Sequence, residues 1–113
     1  MNHCKKNDTI HRKNSDNCCI TEFPTKDSKI NFAISKTSAR YPETGCAMNV
    51  ECDEIVYIQE GKGKIVIDGK ECLLNTGDVI LVNDKEKFYW DGTMTLHIAC
   101  TPAFFPEQHI YID

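Results

Sequence analysis

The sequence predicts an all-β domain of short antiparallel strands, curled into a sandwich or barrel. Three observations lead there. Short runs rich in β-branched and aromatic residues recur from Cys18 to Cys100. Turn signals built on Gly, Asn, Asp and Pro separate them, roughly every six to ten residues. No longer stretch carries the three-to-four-residue apolar spacing of an amphipathic helix.

The elements follow in order. Residues 1–17 are rich in Asn, Lys, Asp and Ser around an isolated Ile10. They can bury little apolar surface and are expected to be mobile or loosely draped, leaving 18–113 as the folded domain. "CCITEF" (18–23) is a strand stopped by Pro24, "TKDSK" a turn, and "INFAIS" (30–35) a second strand. "ARYPETG" is a loop, because Pro42 has no N–H to give to a ladder and Gly45 permits unusual backbone angles. "CAMNV" (46–50) is a short strand closed by the acidic turn "ECD". "EIVYIQ" and "KIVI" are expected as two strands joined by a turn at "EGKG". Asp68–Gly69 then turns the chain into "KECLL", "NTGD" into "VILV", "NDKE" into "KFYW", and "DGT" into "MTLHIAC". The final "TPAFFPEQHIYID" reads as an ordered tail packed on the barrel or on a neighbour.

The totals narrow the function. A chain of 113 residues supports one domain with one core. Thirteen basic against seventeen acidic residues, a net charge of −4, offer neither the basic face of a nucleic-acid binder nor a polybasic membrane patch. No apolar run approaches the ~20 residues of a membrane helix. The N-terminus lacks the apolar core of a secretory signal, so a cytoplasmic location is expected. The seven cysteines form no C-x-x-C pair and are expected as free thiols. A zinc site from His3, Cys4, His11, Cys18 and Cys19 has no standard spacing, and those residues read more simply as a polar tail and a strand start.

Two motif regions carry a resemblance. Glu54 is followed by "IVYIQE" and Gly61, and a second region opens with Gly77–Asp78 and continues through "VILV" to "KFYW". This pattern, over roughly residues 30–100, resembles a small single-domain cupin, which implies a jelly-roll β-barrel. The resemblance also implies where metal ligands would stand, and they are missing. The positions of the two histidines before the glutamate hold Met48 and Val50, and that of the later histidine holds Phe88. None of the four histidines lies between residues 12 and 96. No cofactor is therefore expected, and a divalent metal only through an unconventional set of His97, Cys46, Cys52 and Cys100.

If Glu54 keeps the orientation that the resemblance implies, strand alternation turns Val56 and Ile58 inward with it and Ile55 and Tyr57 outward. Met48, Val50, Phe88 and Trp90 join it around an apolar pocket. A carboxyl group there is poorly solvated, and its pKa is expected to rise. Glu54 is then either a general base or hydrogen-bond anchor for a ligand, or a group bonded to backbone amides at the strand entry. Trp90 and Phe88 are either core filling or a ligand platform. The expected function is a small-molecule-binding module. The alternatives are an isomerase- or epimerase-like enzyme acting through Glu54 on a sugar or organic acid, and a structural homodimer with no pocket. A homodimer is expected in any case, to cover Ile55, Tyr57 and the "AFF" of the tail.

Overall fold

The computed structural model describes all 113 residues, Met1–Asp113. Nine strands run in the order β1 (Ile10–Ser15), β2 (Cys18–Phe23), β3 (Asn31–Thr37), β4 (Cys46–Asn49), β5 (Asp53–Ile67), β6 (Lys70–Asn75), β7 (Val79–Val82), β8 (Lys87–Thr101) and β9 (His109–Ile112). The only helical pieces are two three-residue 3-10 turns, Lys6–Asp8 and Pro106–Gln108. Every named pairing is antiparallel, along a path β1-β2-β3-β8-β4-β9, with β5 beside β8 and carrying β6 and β7 on its other edge. The chain is therefore the all-β barrel that the strand pattern predicts, with the curled sheet of the cupin and jelly-roll class.

Two expected hairpin turns are not turns. "EGKG" lies inside β5 and "DGT" inside β8, and the two strands pair over nearly their whole length with one bulge between Ile58 and Glu60. The glycines serve close approach instead. Gly63 faces Gly92 across the ladder, and a Cβ on Gly92 would lie 2.6 Å from the Gly63 Cα. Gly61, at φ +90°, would put a Cβ 2.1 Å from the Thr93 carbonyl oxygen. Bulge and glycines let both strands change direction together, so that the first half of β5 pairs with β7 and the second half with β6. The Asp68–Gly69 turn is found as expected, with both residues at positive φ, the signature of a two-residue hairpin.

The N-terminal end of the chain also differs from expectation, whereas the C-terminal tail is ordered, as expected. Ile10–Ser15, expected to be part of a mobile segment, form β1 against β2. Their polar side chains hid the strand, because β1 is an edge strand whose inner face borders a cavity rather than a solid core. The C-terminal tail packs on the barrel itself, with β9 completing the sheet beside β4. The core is a cluster of thirteen buried residues that includes Val56, Ile58, Ile65, Phe88, Trp90, Met94 and Leu96. Phe88, Trp90 and Leu96 of this cluster also form part of the wall of a cavity inside the barrel.

Candidate functional site

Alternation along β5 sends Glu54, Val56 and Ile58 inward. Val56 and Ile58 are fully buried in the core, and Glu54, nearer the open end, lines a cavity of about 270 Å³. β8 contributes Phe88, Trp90, Leu96, Ile98 and Cys100 to the same wall. The opposite side is built by alternate residues of β1 to β3, among them Arg12, Glu22 and Ser35, and the tail closes it with Phe104 and His109. The reading of the chain as a barrel without a pocket is thereby corrected.

Three of the six residues expected around the pocket line it: Glu54, Phe88 and Trp90. Val56 lies beneath, in the core. Met48 and Val50 are not among the lining residues. On β4 the inward positions are Ala47 and Asn49, both buried, while Met48 is half-buried. The phase slipped because Val50–Cys52 lies outside the strands, with a bend at Val50 and Glu51, and pleat alternation holds only within a continuous strand.

The unconventional metal set does not assemble. His97 stands on the outer face of β8, packed against the rings of Phe32 and Tyr57. Cys46 sits at the far end of β4, opposite Ile112. Cys52 and Cys100 are buried neighbours near Glu54, and burial raises both thiol pKa values, so they behave as small core residues. The N-terminal set fails likewise, with Cys18 buried and Cys19 exposed on opposite faces of β2. Nowhere do three or more His, Cys, Asp or Glu side chains come together as a metal site requires.

What does assemble is an array that the sequence reading missed. The Tyr41 hydroxyl lies 2.9 Å from His109 Nε2 and 2.8 Å from the Tyr111 hydroxyl. His109 Nδ1 lies 2.9 Å from Asn49 Oδ1, which also receives Gln108 Nε2 at 2.9 Å. The other end of the Asn49 side chain, Nδ2, approaches Glu54 closely enough to favour the carboxylate, yet falls short of hydrogen-bond geometry. It is the single buried side-chain polar atom left without a bond. Only the "HIYID" alternation hinted at this array, placing His109 and Tyr111 on one face of a short strand.

The electrostatics follow from burial. Glu54 is pushed up from 4.5 to about 7, because the cavity wall solvates its charge poorly and the Asn49 amide offsets this only in part. No backbone amide contributes, so the alternative of a backbone-bonded Glu54 is not what the structure shows. His109 is pushed down from 6.5 to about 4, first by burial and then by the Arg12 charge, and is neutral at pH 7. The Tyr41 phenol is raised by burial and by its bond with Tyr111, so it keeps its proton. Arg12 is tied to Glu22 at 3.0 Å, with its guanidinium 5.7 Å from the Phe104 ring centroid. The cavity therefore carries little net charge near neutral pH.

Comparison with known proteins agrees with this architecture. Residues 31–89 match the family model described as the AraC-like ligand binding domain. No curated protein matches the sequence. Among solved structures, a Streptomyces PAC13 variant with uridine superposes at a TM-score of 0.88, with 14% identity over 98% of this chain and 90% of that one. The same protein is described elsewhere as a unique nucleoside dehydratase. KdgF from Halomonas sp. superposes at 0.71, with 11% identity over 88% of this chain and 93% of that one. Salicylate 1,2-dioxygenase from Pseudoaminobacter salicylatoxidans, bound to gentisate, superposes at 0.66 with 13% identity, over 80% of this chain and 26% of that one. At these identities the likeness is one of fold.

Proposed function

We propose that this chain, which belongs to the AraC-like ligand binding domain family, holds a small, neutral, polar ring molecule inside its barrel. One observation carries the reading: a preformed aromatic cavity with a single unpaired carboxyl group, Glu54, on its wall. Trp90, Phe88, Tyr41 and Phe104 offer apolar and stacking surface. Glu54 offers a hydrogen-bond acceptor when ionised and a donor when protonated. Arg12 is neutralised by Glu22, so an anionic ligand would gain little and would face Glu54 as well. At about 270 Å³ the space suits a molecule no larger than a nucleoside. That a structure of the same fold holds uridine supports the choice of nucleosides as first probes. This narrows the expected small-molecule-binding module to a ligand that bears hydroxyl or N–H groups beside its apolar ring. The test is a thermal-shift screen of neutral nucleosides, sugars and aromatic amides. Binding that is lost in Glu54→Gln and Trp90→Ala supports the reading.

A second reading is favoured by the position of the Glu54 pKa near 7. A carboxyl group poised there takes and returns a proton readily, as an isomerase, epimerase or lyase requires. In such a reaction Glu54 takes a proton from a carbon beside a carbonyl group, and His109, neutral, does not compete for it. Turnover falling away below a pH near 7 and absent from Glu54→Gln would favour this reading over binding alone.

Three further expectations stand with these proposals. The site works without a resident metal, since no ligand set converges on it. The chain forms a homodimer through the outer face of β5 and β7, where Ile55, Tyr57, Val79 and Leu81 are each about half exposed. Its seven free cysteines suit a reducing, cytoplasmic setting. No helix is long and apolar enough to cross a membrane.

A further inference from the structure

The buried array beside Glu54 has a direction, and the direction can be traced to its origin. Gln108 is 1% exposed, in the 3-10 turn before β9. Its Oε1 accepts the backbone N–H groups of Glu51 and Cys52 at 3.3 and 3.2 Å. A backbone N–H can only donate, so the atom facing it must be the amide oxygen, and the other end of Gln108 must be its NH₂. That NH₂ donates to Asn49, so the Asn49 atom it meets is Oδ1, and Nδ2 is turned toward Glu54. Asn49 Oδ1 also meets His109 Nδ1, which must then carry the proton. Neutral His109 therefore has a bare Nε2, which accepts the Tyr41 hydroxyl, and the Tyr41 oxygen in turn accepts the Tyr111 hydroxyl.

We propose that Gln108 is the positioning residue of the cavity: anchored on the Glu51 and Cys52 N–H groups, it orients the Asn49 amide toward Glu54, selects the Nδ1–H tautomer of His109 and sets the direction of the Tyr41 bond. Gln108 does not line the cavity and meets no ligand. It acts through Asn49, whose N–H is held in reserve for the Glu54 carboxylate. Glu54 then has a fixed N–H group beside it, and its cavity side is left for whatever enters. This inference rests on the reading of Glu54 as the group that meets the ligand, but its test needs no ligand.

The test is nitrogen-15 and carbon-13 NMR of the ligand-free protein, following the tautomer of His109 and the titration of Glu54. The wild type is expected to show His109 with Nδ1–H and a bare Nε2. In Gln108→Glu the carboxylate still accepts the two backbone N–H groups but can no longer donate to Asn49. The Asn49 amide should turn over, His109 should switch to Nε2–H, and the Glu54 midpoint should rise by about one pH unit or more as it loses its donor. Asn49→Asp separates the two halves of the chain of effects. It keeps the acceptor for Gln108 and His109, so the tautomer should hold while the Glu54 midpoint rises. A residue that merely fills space would move neither signal. The proposal is overturned by Nε2–H in the wild type, or by Gln108→Glu leaving both signals unchanged. Should Gln108→Glu not fold, a tautomer switch in Asn49→Asp overturns it equally.

Discussion

Replacing Glu54 by Gln should change how stability depends on pH, in a direction opposite to that of a typical carboxylate. Glu54 rises from 4.5 in the unfolded chain to about 7 in the barrel. Between those values the folded state holds a proton that the unfolded state has released. The stability Glu54 confers is therefore complete below pH 4.5 and is lost as pH rises through 7. At about 1.4 kcal/mol per pH unit, the loss amounts to about 3 kcal/mol by pH 8. His109 works against it. Its pKa falls from 6.5 to about 4, so the stability of its neutral form is present above 6.5 and is lost as pH falls through 4. The two slopes nearly cancel between 4.5 and 6.5, and the wild type should look flat there. Urea unfolding followed by far-ultraviolet dichroism at half-unit steps of pH separates them. Glu54→Gln should gain stability relative to wild type by about 3 kcal/mol between pH 4.5 and 8, and its own curve should climb from 4 to 6.5. His109→Phe should show the reverse, a steady fall from 4.5 to 7. Parallel curves for wild type and Glu54→Gln would refute a buried carboxyl at this place.

Other outcomes are as definite. Gly92→Ala should destabilise by a few kcal/mol, since a Cβ there meets the Gly63 backbone and the residue sits at φ +135°; thermal unfolding checks it against Gly69→Ala, where φ is also positive but a Cβ would meet nothing. Leu81→Glu, on the exposed face of β7, should shift a dimer to monomer in sedimentation equilibrium without altering the far-ultraviolet spectrum. Trp90, the only tryptophan, lines the cavity, so a bound ring should change its emission, and Trp90→Leu should weaken binding about tenfold through lost stacking.

Much of this was legible in the residues themselves, and the failures have physical causes. The inward set Glu54, Val56 and Ile58, with Phe88 and Trp90, follows from alternation within single strands, which is a local rule. The "EGKG" and "DGT" segments carry the residues of a hairpin turn, yet each bends inside a long strand. Glycine marks permissive backbone, and only the partner strand decides whether that freedom is used to turn or to let two chains cross closely. β1 and β9 were hidden for a different reason. They border a cavity and the sheet edge, so their inner faces carry Arg12, Asn14 and His109 rather than an apolar stripe. The Asn49, Gln108, His109 and Tyr41 array joins residues 41, 49 and 108–109, and separations of that size leave no trace in local pattern. Met48 and Val50 fall elsewhere because the three-residue break between β4 and β5 resets the pleat.

The central claim is that the barrel cavity, with Glu54 on its wall, is where a small neutral ring molecule binds. Its most direct test is an NMR titration of the protein with uridine, following backbone and side-chain signals. The account predicts saturable shifts confined to Glu54, Trp90, His109 and their neighbours, and none in Glu54→Gln at the same concentrations. Shifts confined to the outer face around Ile55, Val79 and Leu81, or saturable binding that Glu54→Gln leaves intact, would contradict it.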